Sequence, residues 1–114
     1  MLYKMNLAIE PFILIKEGKK TIEMRLKTKE RENIKIGDQI LFTNDSGEQM
    51  IADVISVSSF SSFIELYKHF DKVKLGYKDN EIANPDDMLK YYCTKDIGEF
   101  GVLAIEIKTH KMQK

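Results

Sequence analysis

Apolar and polar positions along the chain change period several times, and each change marks an element. Tyr3, Met5 and Leu7 alternate with polar neighbours, which predicts a strand from about Tyr3 to Ile9. Glu10-Pro11 then opens a short helix, since proline in the first turn sacrifices no hydrogen bond. Phe12, Ile13, Leu14 and Ile15 are apolar all round, so that helix is expected to be buried on most sides. Gly18 stops it, because glycine enters the left-handed cap conformation without penalty. A second strand is expected from about Thr21 to Leu26.

The charged run from Lys27 to Ile36 reads as an exposed loop that turns at Gly37-Asp38 into a strand, Gln39 to Thr43. Asn44-Asp45-Ser46-Gly47 is the strongest turn signal, and it makes a hairpin with a long strand, Gln49 to Ser58. Ser58-Ser59 or Ser61-Ser62 caps a helix to about Phe70, whose stripe of Phe63, Leu66, Tyr67 and Phe70 reads as core. Asp71 to Ala83 carries little pattern. Asn84-Pro85-Asp86-Asp87 predicts a helix start, with the helix running to about Cys93. Thr94 to Glu99 reads as a turn, Gly101 to Ile107 as a last strand, and residues 108–114 as a frayed polar end.

The resulting order, β-α-β-β-β-α-α-β, lacks the spacing of a doubly wound parallel sheet. It predicts an α+β fold: a small mixed or antiparallel barrel with helices on its openings, in a single domain spanning residues 1–114.

Composition narrows the function classes. A hydrophobic content of 43% supports a real core, and 18 basic residues balance 18 acidic ones, which excludes a bulk polycation coating nucleic acid. Charge is nevertheless segregated. Lys16 to Lys35 holds eight basic residues against four acidic, and Asp79 to Glu99 holds six acidic against two basic. Any nucleic-acid contact is therefore expected to be local. The lone cysteine, Cys93, forms no internal disulfide and reads as a small buried hydrophobe, with the reducing cytoplasm as the expected compartment. His69 and His110 lack close companion ligands, so no metal or cofactor is expected. No apolar run approaches the ~20 residues of a membrane span.

Candidate chemistry concentrates between Gly18 and Leu26. Lys20, Glu23 and Arg25 place a cation, an anion and a planar cation within six residues of otherwise β-branched character. On a strand Thr21, Glu23 and Arg25 share one face, with Ile22 and Met24 on the other. That polar face is either the solvated side of a half-buried sheet or the lining of a groove.

Gly18-x-Lys20-x-x-Glu23-x-Arg25 resembles the G-x-K-x-x-E-x-R signature of the ASCH domain family, relatives of the PUA-like RNA-binding domains. Pro11-Phe12, Ile36-Gly37-Asp38, Phe60 and Phe63, Tyr91-Tyr92 and the run from Gly101 to Ile105 follow in that family's usual order. The resemblance implies a PUA-like mixed β-barrel with flanking helices, its cleft lined by the motif and roofed by the first helix. It also implies RNA, or an RNA-derived nucleoside or nucleotide, as partner. Some small members are similar to amidohydrolases that deacetylate N4-acetylcytidine, and a ribonuclease activity is associated with others. The amidohydrolase members use the motif lysine, a threonine where Glu23 stands here, and a carboxylate before the last strand, for which Asp86 or Asp87 is the nearest acid.

Three chemistries suit these residues. In a binding cleft, Lys20 and Arg25 hold a phosphate or base edge, Glu23 orients Arg25 or accepts from an exocyclic amine, and Tyr91 or Tyr92 stacks on a base. Gly18 and Thr21 complete that candidate binding set. In a hydrolase, Lys20 with a lowered pKa is base or nucleophile, and Glu23 or a more distant acid such as Asp87 activates water. In a purely structural network, Glu23 bridges Lys20 and Arg25 and ties the first helix to the barrel.

Overall fold

A computed structural model describes residues 1–110. The elements are β1 (Leu2–Leu7), α1 (Ile9–Lys16), β2 (Ile22–Leu26), β3 (Gln39–Asn44), β4 (Gln49–Phe60), α2 (Phe63–His69), α3 (Lys72–Leu75), a 3-10 helix (Pro85–Lys90), α4 (Thr94–Phe100) and β5 (Val102–Thr109). The strands form one five-stranded sheet in the order β1-β3-β4-β5-β2. β1 and β3 pair in parallel, whereas β3/β4, β4/β5 and β5/β2 are antiparallel. The α+β architecture expected from the pattern is thus present, with the sheet curled into a half-barrel. Its two edges, β1 and β2, are consecutive in sequence, and α1 connects them.

Twelve-residue β4 pairs with both β3 and β5, and an irregularity at Ile55 interrupts its register with β5 between Val54 and Ser56. Such an insertion bends a strand and strengthens its twist, which helps this sheet curl. β5 is buried on both faces. Leu103, Ile105 and Ile107 join Phe12, Ile15, Phe42 and Val54 in one core, while Val102 and Ala104 join Ile22, Met24, Phe63 and Leu66 in the other. β2 is placed by the same rule. Ile22, Met24 and Leu26 turn toward the second core, so Glu23 and Arg25, paired with Ile105 and Leu103, take the opposite face.

Four local expectations need correction. Asp71 to Ala83 contains a single helical turn, α3, ended by Gly76 in the left-handed conformation at φ +111°. The segment opened by Asn84 is a 3-10 helix that stops at Lys90 instead of reaching Cys93, and the carbonyl of Met88 then accepts from both Tyr91 and Tyr92. Thr94–Phe100 is helix α4, not a turn; Gly98 suggested the turn, but a glycine at an exposed helix position costs only about 1 kcal/mol. Cys93 is exposed, because it is the extended cap residue before α4.

The C-terminal end is also more ordered than a frayed tail as far as it is described. Lys108 and Thr109 remain in β5 opposite Asp53 and Ala52, and the His110 N–H donates to the Ile51 carbonyl. The rest of that expectation, residues 111–114, lies outside the described residues. Ser62 proves to be the α2 cap, its hydroxyl accepting from the Glu65 N–H at 3.2 Å.

Candidate functional site

Gly18, at φ +80°, lets the chain reverse after α1 and enter β2. The N–H groups of Lys19 and Lys20 donate to the Leu14 carbonyl, closing this turn on the helix end. Thr21 is held through its backbone: its N–H donates to the Lys74 carbonyl at 3.0 Å, and its own carbonyl accepts from the Ile107 N–H at 2.9 Å. Gly18 and Thr21 thus shape the approach, and neither lines the cavity described below.

Lys20 and Glu23 are buried, with 6% and 5% of their surface exposed. The Lys20 ammonium donates to the Leu75 carbonyl at 2.9 Å and lies 3.6 Å from Glu23 Oε1. Glu23 Oε2 accepts from Arg25 Nε at 2.6 Å, and Arg25 Nη2 donates to the Asn6 carbonyl at 2.8 Å. Lys20, Glu23 and Arg25 therefore form one row, Glu23 between two cations, as the structural-network chemistry requires. Burial pulls the Lys20 pKa below its ordinary value; the adjacent Glu23 opposes that shift, and Arg25 adds to it. Gly76 makes room for the lysine. A Cβ at that position would sit 3.1 Å from Lys20 Cδ.

The row does not end in packed protein. It lines a cavity of about 690 Å³ together with Arg31, Asp87, Tyr91 and Tyr92, and residues of α1 including Pro11 and Leu14 lie along the same hollow. This volume falls within the range of small-molecule sites. The solvated-face alternative for Glu23 is thereby excluded. Tyr91 is 64% exposed. Tyr92 is half-buried and stacks on Phe63, centroids 6.0 Å apart and planes 18° from parallel, and burial pushes its pKa up.

Among the cavity residues that escape a sequence reading are Tyr67, which its helical spacing assigns to core, and Tyr77, which lies in the unpatterned stretch. Tyr77 Oη lies 2.6 Å from Asp87 Oδ2 and 3.0 Å from Tyr67 Oη. Nothing in their spacing signals that contact, since it depends on α3 and Gly76 reversing the chain between them. Among the described residues no group of three His, Cys, Asp or Glu side chains is placed to hold a metal ion, and no helix is long and apolar enough to cross a membrane.

A mixed five-stranded sheet curled into a half-barrel, with flanking helices and a charged cleft lined in part by α1, defines a small α+β domain. The family model of the ASCH domain matches residues 5–109, and the chain belongs to that family. Among solved structures it is similar to hypothetical protein PH0355, with 31% identity, a TM-score of 0.81, and coverage of 96% of this chain and 100% of that one. It is also similar to protein PF0455 from Pyrococcus furiosus, with 28% identity, a TM-score of 0.68, and coverage of 98% and 100%. ASCH from Zymomonas mobilis is 13% identical at a TM-score of 0.69, covering 96% of this chain and 68% of that one, a likeness of fold alone. No curated protein matches the chain.

Proposed function

We propose that the cleft binds RNA or an RNA-derived nucleoside or nucleotide through Lys20, Glu23 and Arg25. One observation carries this reading: a buried row of alternating charge lines a hollow of about 690 Å³. An ion network serving stability alone needs no such hollow, and burying charges is rarely the cheapest route to stability. The ammonium of Lys20 has three N–H donors and Arg25 has a second terminal nitrogen, so both keep capacity for a ligand acceptor. Tyr91 offers an exposed ring to a base. The membership in a family linked to RNA binding agrees with this chemistry. The expected compartment remains the cytoplasm.

The test is a thermal-shift screen of nucleosides, modified cytidines and short RNAs, repeated on Lys20→Ala and Arg25→Ala. A ligand shift lost in both variants supports the cleft. A shift unchanged in both places the ligand elsewhere and overturns the reading.

The burial of Lys20 favours a second reading, a small hydrolase acting on an amide such as N4-acetylcytidine or on an RNA phosphodiester. Lowering the pKa brings the amine closer to the neutral form that accepts a proton from water. Water then adds to the acyl carbon, the C–N bond breaks, and the proton passes to the leaving amine. Release of cytidine from N4-acetylcytidine by the wild type and not by Lys20→Ala supports it; equal rates with and without protein overturn it for that substrate.

A further inference from the structure

The cavity that the charged row lines is also lined by a hydroxyl chain with a fixed direction. Tyr77 Oη lies 2.6 Å from Asp87 Oδ2, 3.1 Å from the Asn84 carbonyl and 3.0 Å from Tyr67 Oη. The Asp87 carboxylate and the carbonyl are both acceptors, so the single Tyr77 proton is directed to that side, the carboxylate being the closer. Tyr67 must then donate its own proton to Tyr77. Both tyrosine protons are spent inside the chain. Burial and the bond to Asp87 push the Tyr77 pKa up, which keeps that proton in place at neutral pH.

What remains for a ligand is acceptors. Tyr67 Oη keeps a lone pair, and Asp87 Oδ1 has no hydrogen-bond partner among the described residues and is not sealed from solvent. Exposed Lys90 lines the same cavity and bonds to neither. The charged row of the same cavity has its spare capacity as donors, on Lys20 and Arg25. The two sets of lining residues are thus complementary in sign of hydrogen bonding.

We propose that Tyr67, Tyr77 and Asp87 form an acceptor wall that selects ligands presenting a hydrogen-bond donor, with Tyr77 as the positioning residue. The inference rests on the nucleoside-binding reading above and adds to it the orientation of the ligand: its acceptor edge toward Lys20 and Arg25, its donor edge toward Asp87. An amino group on a base and a hydroxyl on a sugar share this donor chemistry. A ligand carrying an acceptor at that position meets Asp87 Oδ1 lone pair to lone pair, and is rejected.

The experiment measures dissociation constants of cytidine, uridine and 2′-deoxycytidine by calorimetry for the wild type, Asp87→Asn, Tyr77→Phe and Lys20→Ala. Asp87→Asn is isosteric, and Tyr77→Phe tests the chain independently; circular dichroism checks that each is folded. The wild type is expected to prefer cytidine over uridine, or cytidine over 2′-deoxycytidine, by about tenfold, the scale of one hydrogen bond to a charged group. The first preference assigns the donor to the base and the second to the sugar. Asp87→Asn and Tyr77→Phe should bring that preference to within about twofold, whereas Lys20→Ala should weaken all three nucleosides alike and leave the ratio standing. A wild type that binds the three equally, or a preference that survives in both wall variants, overturns the acceptor wall while leaving the cleft intact. Failure of all three to bind overturns the wall and the nucleoside form of the proposed function together.

Discussion

Arg25 and Asn6 stand on the two open edges of the sheet, and the guanidinium joins them: Nη2 of Arg25 on β2 donates to the Asn6 carbonyl on β1 at 2.8 Å. The same side chain holds Glu23 through Nε at 2.6 Å. A fork of donors in fixed geometry makes both contacts at once, which a lysine ammonium on a flexible stem does not reproduce.

Arg25→Ala is therefore expected to cost about 3 kcal/mol, the lower end for breaking a buried ion pair, because Lys20 still faces the stranded Glu23. Asn6→Ala keeps the accepting carbonyl and should be within about 0.5 kcal/mol of wild type, the usual range for an exposed substitution. Urea unfolding of both variants checks the contrast, and equal losses would mean that the Asn6 side chain, beyond its carbonyl, contributes as much as the arginine.

Gly76→Ala is expected to be worse than an ordinary glycine replacement. The position has φ +111°, costing about 1–2 kcal/mol for a residue with a Cβ. The added methyl also meets Lys20 Cδ at 3.1 Å, so the buried lysine stem beside Glu23 must give by a few tenths of an ångström. Denaturation should show the lost stability, and a ligand titration should show weaker binding than in wild type. Full affinity in a folded Gly76→Ala protein would mean that the lysine position is not critical.

Lys20 gives a pH dependence of definite sign. Its folded pKa lies below the unfolded value of 10.5, so between the two the unfolded chain binds more protons. Its contribution to stability therefore rises with pH across that window and levels off above 10.5. Unfolding free energies of wild type minus Lys20→Met should shift in favour of the wild type as pH rises toward 10.5. A constant difference would show that the ammonium is not disfavoured by burial.

Adjacent tyrosines should separate binding from stability. Tyr91 is exposed, so Tyr91→Ala should leave the unfolding midpoint nearly unchanged while weakening a stacked base by about 1–3 kcal/mol. Tyr92 packs on Phe63, so Tyr92→Ala should destabilise the protein by about 2 kcal/mol, less than a fully buried aromatic would. Paired unfolding and binding measurements decide it; identical profiles would mean the two rings share one role.

The sheet was legible where period-two alternation was clean. Met5 and Leu7, the hairpin at Asn44 and the turn at Gly18 are local signals with local causes. α4 was not, because Gly98 resembles a turn residue until Ile97 is seen packing against the second core. The charged row was visible as a motif, but its alignment depends on Leu75 and Gly76, more than 50 residues further along the chain. Tyr67 and Tyr77 were hidden for the same reason: a hydroxyl bond across α3 leaves no periodic trace. Asp87, by contrast, stood out as an acid in a first turn.

β5 belongs to both hydrophobic clusters at once, alternate side chains feeding each. Neither cluster can melt while the other survives, since the shared strand would have to leave both. Exchange of its central amides with deuterated solvent should thus report only global opening, with the highest protection in the molecule and one common opening free energy from Leu103 to Ile107.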